Sequence, residues 1–340
     1  MSGITLKDIT KHYRILNRRE GLLGSIRDLV SRDYKWVKAV DGISFDIRQG
    51  ELVGFIGPNG AGKSTTIKML TGVLEPTSGS IIVNSHVPFK ERKKYVRNIG
   101  IVFGQRTQLW WDLAVIESFK LLKEIYEIDT QTYEKNLGLF NDLVNLKDLY
   151  KIPVRVMSLG QRMLCDIAAS FLHDPDVIFL DEPTIGLDVE IRSKVRNIIK
   201  ELNHMKKATV LLSSHDVGDI ESLAQRIILI DKGKLLYDGS TEKFNNIFGT
   251  YRMLRLDVHE LDSSNVEMLK KKTMERVGNA AGVEIGEVAK GWLGISFDQE
   301  RIPLLELLTP ILSEFRIKDI KVEEIEMEEV IKRVYEGALG

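Results

Sequence analysis

The chain has 340 residues, with 48 Lys and Arg against 49 Asp and Glu and a formal net charge of −1. That length suits two domains, each able to bury a core, and the near-neutral balance excludes a surface built to coat nucleic acid. The one cysteine, Cys165, excludes an internal disulfide framework and points to a reducing, cytoplasmic setting.

No run of about 18 apolar residues is present to span a bilayer, and the first residues lack the apolar stretch of a signal peptide. Charge is uneven: residues 241–340 hold 19 acidic and 14 basic side chains, which supports a domain boundary near residues 245–250. The sequence therefore reads as residues 1–245 followed by a smaller domain, 250–340.

Residues 4–9 read as a short strand, followed by Tyr13. Residues 40–47 alternate Ile43, Phe45 and Ile47 with Ser44 and Asp46, the pattern of a half-buried strand. Between them, residues 14–38 carry seven basic and three acidic side chains. Leu22, Leu23, Ile26, Leu29 and Val30 fall there at helical spacing, giving an amphipathic helix with a basic face. Such a helix either touches a membrane surface or membrane-embedded partner, or is an insertion packed on the nearby sheet. Periodicity does not separate the two.

An apolar strand at 51–56 then leads into Gly57-Pro58-Asn59-Gly60-Ala61-Gly62-Lys63-Ser64, and a helical pattern at 65–70 leads out. This is the strand–loop–helix setting of a phosphate-binding loop. Glycines let backbone N–H groups approach phosphate oxygens, and the helix start adds its positive end. Lys63 supplies a charge near the outer phosphates, and Ser64 a hydroxyl for Mg²⁺.

Further strands are expected at 79–84 and 98–103, the latter ending at Gly104-Gln105. Residues 113–173 read as largely helical. An apolar strand at 176–180 delivers Asp181 and Glu182, suited respectively to the shell of Mg²⁺ and to polarising a water for in-line attack on a γ-phosphate. A helix at 189–205, a strand at 208–213 ending in Ser214-His215, and a hairpin at 226–237 turning at Asp231-Lys232-Gly233 complete an α/β core with a parallel sheet. Functional residues of such sheets gather at the carboxyl ends of strands, where Gln105, Asp181 and His215 fall. Met157-Ser158-Leu159-Gly160-Gln161 opens a helical pattern whose small residues expose N–H groups to an anion. The remainder reads as β-α-β-β-α-β, with strands at 252–259, 283–288, 292–297 and 317–322. Helices fall at 265–277 and 303–315, and a final one at 327–336. This is a ferredoxin-like α+β arrangement.

As an ordered set, these pieces resemble the ATP-binding subunits of ABC transporters over about residues 4–240. They look most like the subunits that serve exporters of the ABC-2 class. The motifs carrying the resemblance are the loop Gly57–Ser64 with Thr65, Gln105, the signature Ser158-Leu159-Gly160-Gln161, Asp181-Glu182, Ile185–Asp188 and His215. The resemblance implies the P-loop fold of that type, with a parallel-sheet core, an antiparallel β subdomain and a helical subdomain at about 106–172. It implies that Glu182, His215 and Gln105 serve catalysis, and that Ser64, Gln105 and Asp181 attend Mg²⁺. Gly57, Pro58, Asn59, Gly60, Ala61, Gly62, Lys63, Ser64 and Thr65 hold ATP, with Tyr13 against adenine. Ser158, Gly160 and Gln161 close on ATP from a second copy of the chain arranged head to tail.

Two features depart from the family's pattern: Leu159 stands where glycine is usual, and residues 14–38 lengthen the gap after Tyr13. The resemblance further implies an integral-membrane permease partner of ABC-2 type and a place on the cytoplasmic face of the cell membrane. Trp110 or Trp111 would then line the groove for a permease helix, unless both are core residues. A soluble ABC ATPase without a permease is the competing reading; no Asn-Lys-x-Asp motif for a GTPase is present.

Overall fold

A computed structural model of the chain describes residues 2–16, 34–104, 106–214, 216–259, 267–268, 271, 283–289, 292–325 and 327–335. They form two compact units, Met1–Ser240 and Thr241–Gly340.

Among the described residues, the first unit holds nine strands: β1 Ser2–Leu16, β2 Tyr34–Arg48, β3 Leu52–Ile56, β4 Ser78–Val83, β5 Ile99–Phe103, β6 Val177–Asp181, β7 Thr209–Ser214, β8 Arg226–Asp231 and β9 Lys234–Ser240. Its main helices are α1 Lys63–Leu70, α2 Val115–Ile125, α3 Thr130–Val144, α4 Leu159–Phe171, α5 Val189–Lys206 and the short α6 Val217–Glu221. Six strands make one sheet in the order β5-β6-β7-β3-β8-β9. The first five run parallel and β9 returns antiparallel. Strands β3, β6 and β7 are buried at every residue, because a parallel sheet covered on both faces has no solvent side. The β8–β9 hairpin turns through Lys232 at φ 47° and Gly233 at φ 76°, the two left-handed residues that a tight hairpin with the right twist requires.

Register decides where the functional residues go. Phe103 pairs with Asp181, Asp181 with Ser213, and Ile56 with Ser214. The carboxyl ends of β5, β6, β7 and β3 therefore finish level, and residues 104, 182 and 57 leave the same edge of the sheet.

Strands β2, β1 and β4 form a separate antiparallel sheet. Strand β2 alternates buried Val40, Ile43, Phe45 and Ile47 with more exposed neighbours, as a one-sided sheet demands. Its buried face joins Ile4, Leu6 and Ile9 to Phe55, Phe179 and Leu211 of the parallel sheet in one core. Strands β1 and β2 are both longer than their alternation suggests. Residues 14–16 and 34–38, expected within an insertion, instead continue β1 and β2 as a ribbon pairing Arg14 with Trp36 and Leu16 with Tyr34. Backbone pairing extends past the last apolar residue of the core, so burial periodicity stops short of the true ends. The helical pattern expected around Leu22 to Val30 lies outside the described residues.

Residues 106–172 contain α2, α3 and α4 with two short 3₁₀ turns, Leu146–Leu149 and Val154–Val156. Asp129 caps α3 by accepting from the Thr132 N–H at 2.9 Å, and Asn145 ends it in the left-handed region.

The second unit opens with α7 Thr241–Phe248, so the division falls just before this helix. Its strands, β10 Tyr251–Val258, β11 Glu284–Ala289, β12 Trp292–Asp298 and β13 Ile317–Glu324, form an antiparallel sheet in the order β11-β12-β10-β13. Leu254, Leu256, Leu293, Ile295 and Phe297 pack with Leu307 and Ile311 of α8 Leu304–Glu314. On β12 the alternate residue Ser296 is also buried; Arg333 of α9 Met327–Tyr335 donates to its Oγ at 2.8 Å and lies 4.0 Å over the Tyr251 ring. The helix expected at 265–277 falls outside the described residues except at 267, 268 and 271.

Phe55 is wholly buried and its ring lies 5.9 Å from that of Phe45, joining the two sheets of the first unit. Phe55→Ala is expected to lower unfolding free energy by about 3–5 kcal/mol; a urea midpoint unchanged from the parent would refute this packing.

Candidate functional site

The loop after β3 is shaped by close approaches that only glycine permits. A Cβ on Gly57 would lie 2.2 Å from the Ile230 carbonyl, and one on Gly62, at φ 109°, would lie 2.5 Å from the Ala39 carbonyl. The loop is also held from behind: Gly233 N–H donates to Ala61 O at 2.9 Å, and Gly233 O accepts from Asp41 N–H at 2.8 Å. Helix α1 starts at Lys63, one turn's first N–H groups after the glycines, with Gly62 O accepting from both the N–H and the hydroxyl of Thr66. Asn59 and Gly60 are exposed at the tip, Pro58 and Thr65 are half-buried, and Ala61 is buried.

Lys63 is 5% exposed. Its ammonium donates to Gly57 O at 2.6 Å and Pro58 O at 3.2 Å, and it pairs with Glu182 Oε1 at 3.3 Å. Ser64 Oγ donates to Asp181 Oδ1 at 3.3 Å. The loop and the carboxylate pair, more than a hundred residues apart in sequence, thus meet at the carboxyl edge of the sheet. A hydroxyl and a carboxylate at this spacing are oxygen donors of the kind Mg²⁺ takes, so these residues fit that ion.

Ser213, at the end of β7, holds the Asp181 carboxylate and the Glu182 backbone. Its hydroxyl donates to Asp181 Oδ1 at 2.7 Å and accepts from Glu182 N–H at 3.1 Å. Glu182 sits at φ +54°, a left-handed conformation costing about 1–3 kcal/mol for such a residue and typical of functional turns. The turn is closed by Gly104: its N–H donates to Asp181 O at 2.8 Å, and a Cβ there would meet Glu182 O at 2.1 Å. The sequence marks Ser213 only as one of two serines that end an apolar strand.

Ser158 caps α4. Its hydroxyl accepts from Gln161 N–H at 3.2 Å while its own N–H donates to Gln161 Oε1 at 3.0 Å, a reciprocal capping box. Gly160 is buried, and a Cβ there would press on Ile191 at 2.9 Å. Leu159 packs toward Gly186, within 3.2 Å of where a Cβ would stand. Among the described residues, no hydrogen bond or ion pair joins Ser158 to Lys63 within the chain. Tyr13 lies in β1 opposite Val37 with Lys11 Nζ 5.7 Å from its ring, and among the described residues no hydrogen bond or ring contact ties it to the loop. Gln105 and His215 lie outside the described residues. Trp110 and Trp111 stand at the surface, 38% and 50% exposed, with Arg162 5.6 Å from the Trp111 ring.

A second polar cluster adjoins the first. Asp166, buried on α4, accepts at Oδ1 from Thr107 Oγ1 at 2.8 Å and Gln108 N–H at 3.0 Å, and its carbonyl accepts from Gln108 Nε2 at 2.9 Å. Burial pushes the Asp166 carboxyl up to about 6, opposed by the bonds from Thr107 and Gln108 and by the charge of Arg162.

A family model described as ABC transporter matches residues 40–185. The chain is 33% identical over 208 residues to the ABC transporter ATP-binding protein NatA of Bacillus subtilis (strain 168), a span of 61% of this chain and 84% of that protein. The chain belongs to the ABC transporter ATP-binding family. Its members are ATPases, and this ABC chain is one. It is also 32% identical over 235 residues to the linearmycin resistance ATP-binding protein LnrL of the same organism, covering 69% of this chain and 75% of that one. Its fold is shared with a dimeric ATP-binding cassette solved in a post-hydrolysis state with ADP and Pi. The TM-score is 0.57 at 24% identity, over 70% of this chain and 98% of that one.

Two outcomes follow from this geometry. Ser213→Ala removes the hydroxyl that holds the Asp181 carboxylate and the Glu182 N–H, and ATP turnover is expected to fall about tenfold or more while the fold persists; unchanged turnover would show that Ser213 is dispensable. Asp166 holds its proton in the folded chain up to about pH 6, and from an ordinary value of 3.8 when unfolded. Folded chain therefore binds the extra proton between these values, and stability falls as pH rises through that window, by at most about 3 kcal/mol. Asp166→Asn should abolish this component, so urea unfolding at pH 4.5 and 7 should show a smaller decline in the variant than in the parent.

Proposed function

We propose that the chain is the ATP-hydrolysing subunit of an exporter of ABC-2 type, pairing with a second copy on ATP and driving a separate integral-membrane permease. The observation that carries the reading is the meeting of Lys63, Ser64, Asp181 and Glu182 at one edge of the sheet. In the resting arrangement Lys63 neutralises Glu182. ATP, offering phosphate oxygens to the loop N–H groups, recruits the same ammonium and releases Glu182 to act as a base. Water, deprotonated by Glu182, attacks the γ-phosphorus in line; the bond to the β-phosphate oxygen breaks, giving ADP and phosphate. Ser64 and Asp181 would hold Mg²⁺, which supplies charge neutralisation to the phosphates. Gln105 and His215 are assigned to sensing and orienting the γ-phosphate, and Tyr13 to the adenine face.

The signature helix supports a paired arrangement. Ser158 fixes the start of α4 with its capping box, and the first N–H groups of that helix offer donors to an anion. In a head-to-tail pair this end would close on the partner's ATP, through Ser158, Gly160 and Gln161. Surface exposure of Trp110 and Trp111 supports their assignment to the groove for a permease helix. Among the described residues no helix is long and apolar enough to cross a membrane, so a separate permease would provide the path and fix the cargo: lipid, glycan, peptide or drug. We further read residues 250–340 as a ferredoxin-like accessory domain, on the order of its four antiparallel strands.

Glu182→Gln is expected to keep ATP binding and lower turnover by about 10²- to 10⁴-fold. With magnesium and ATP it should sediment as a dimer, and without nucleotide as a monomer. Near-parental turnover removes Glu182 from the role; a persistent monomer removes the sandwich. Trp110→Ala and Trp111→Ala should leave isolated ATPase activity intact, and loss of co-purifying permease from at least one of them is expected; full retention in both refutes the groove.

A further inference from the structure

The stretch between β5 and α2 is pinned at two places that belong to different parts of the first unit. At its start, Gly104 N–H is bonded to the carbonyl of Asp181, and Arg106 N–H to the carbonyl of Phe103 at 2.9 Å, on the catalytic edge of the sheet. Immediately afterwards Thr107 and Gln108 make three hydrogen bonds to one residue of α4, Asp166. Thr107 Oγ1 also accepts from Leu109 N–H at 3.1 Å, so the hydroxyl serves the strap and the helix at once. Position 105 is thus bracketed by an anchor on the Asp181 turn and an anchor on the helix that Ser158 caps. A cleft of about 210 Å³ beside Phe103, Arg106 and Asp166 leaves the strap unpacked on one side.

Asp166 is costly to keep. It is 4% exposed on a helix whose neighbouring residues Met163, Leu164, Ile167 and Ala168 are buried and apolar. An alanine would suit that face better, since a buried carboxylate is tolerated only where its hydrogen bonds serve a purpose. Among the described residues, both hydrogen bonds to its carboxylate come from the strap.

We propose that Asp166 is a positioning residue that gears the strap after position 105 to the signature helix, so that a chain which has bound its own ATP presents Ser158 correctly to its partner's ATP. This rests on the sandwich reading above. Asp166 acts through Thr107 and Gln108 on one side and the α4 axis on the other. The link is rigid because two donors converge on one carboxylate oxygen while the neighbouring carbonyl fixes the Gln108 side chain.

The test uses the full-length chain in the Glu182→Gln background, with magnesium and ATP, and two readouts: nucleotide affinity per chain from a fluorescent ATP analogue, and the dimer dissociation constant from sedimentation. Asp166→Ala should bind nucleotide within about threefold of its parent but pair about tenfold or more weakly. Thr107→Val, isosteric and less disruptive, should lose pairing in the same direction, and the double variant should be no worse than Asp166→Ala alone. Asp166→Asn keeps an accepting oxygen for both donors and should restore pairing to within about threefold. Parental pairing in Asp166→Ala overturns the proposal, as does Asn failing as badly as Ala. Equal loss of nucleotide binding and pairing in both Ala and Val variants also overturns it, reducing Asp166 to a fold-holding residue. Should the Glu182→Gln parent itself stay monomeric with bound nucleotide, the sandwich reading fails, and this proposal with it.

Discussion

A buried ammonium governs the architecture of the first unit. Lys63 is nearly sealed from solvent, and such a charge is sustained only by close, well-directed partners. Two loop carbonyls and Glu182 provide them. For Glu182 to arrive there, β6 must end level with β3, which the register through β7 enforces, and the backbone must turn sharply into a left-handed residue. Gly104 and Ser213 make that turn possible from either side. The parallel sheet, its register and the strained turn are therefore one solution to a single electrostatic requirement.

Much of this was legible in the residues. The loop Gly57–Ser64 announces itself by spacing, and the uninterrupted apolar run before Asp181 could only be a strand buried on both faces. The hairpin at Lys232 and Gly233 was equally plain, since few sequences tolerate two consecutive left-handed residues. Other features were hidden for physical reasons. The ribbon at 14–16 and 34–38 runs beyond the apolar core and is held by backbone pairing and by Arg14 stacked 3.6 Å over the Tyr34 ring, neither of which leaves an apolar alternation in the sequence. Ser213 and Asp166 act through hydrogen bonds between segments distant in the chain, and no local pattern encodes such partners. The broad helical stretch at 113–173 is three helices, the last two separated by two 3₁₀ turns, and the caps, such as Asp129 and Ser158, are visible only residue by residue.

The second unit follows a different economy of burial. Its sheet places an apolar layer under α8, while Ser296 of β12, Tyr251 of β10 and Arg333 of α9 form a polar and aromatic cluster. The buried Arg333 charge is met by Glu329 Oε1 at 3.3 Å as well as by the hydroxyl and the ring face, as a buried guanidinium requires. Charge in this unit is weighted toward acid, and β13 is exposed along nearly its whole length; its lysines and glutamates discourage the edge from recruiting stray strands.

The bracing of the phosphate loop by Gly233 has a kinetic meaning. Because the hairpin grips Ala61 and Asp41 from the rear, the cradle stands ready-made before any nucleotide arrives. Little conformational freedom is then forfeited on capture, and the pace of each cycle is left to slower parts elsewhere, with the cradle itself serving as a fixed bearing on which they turn.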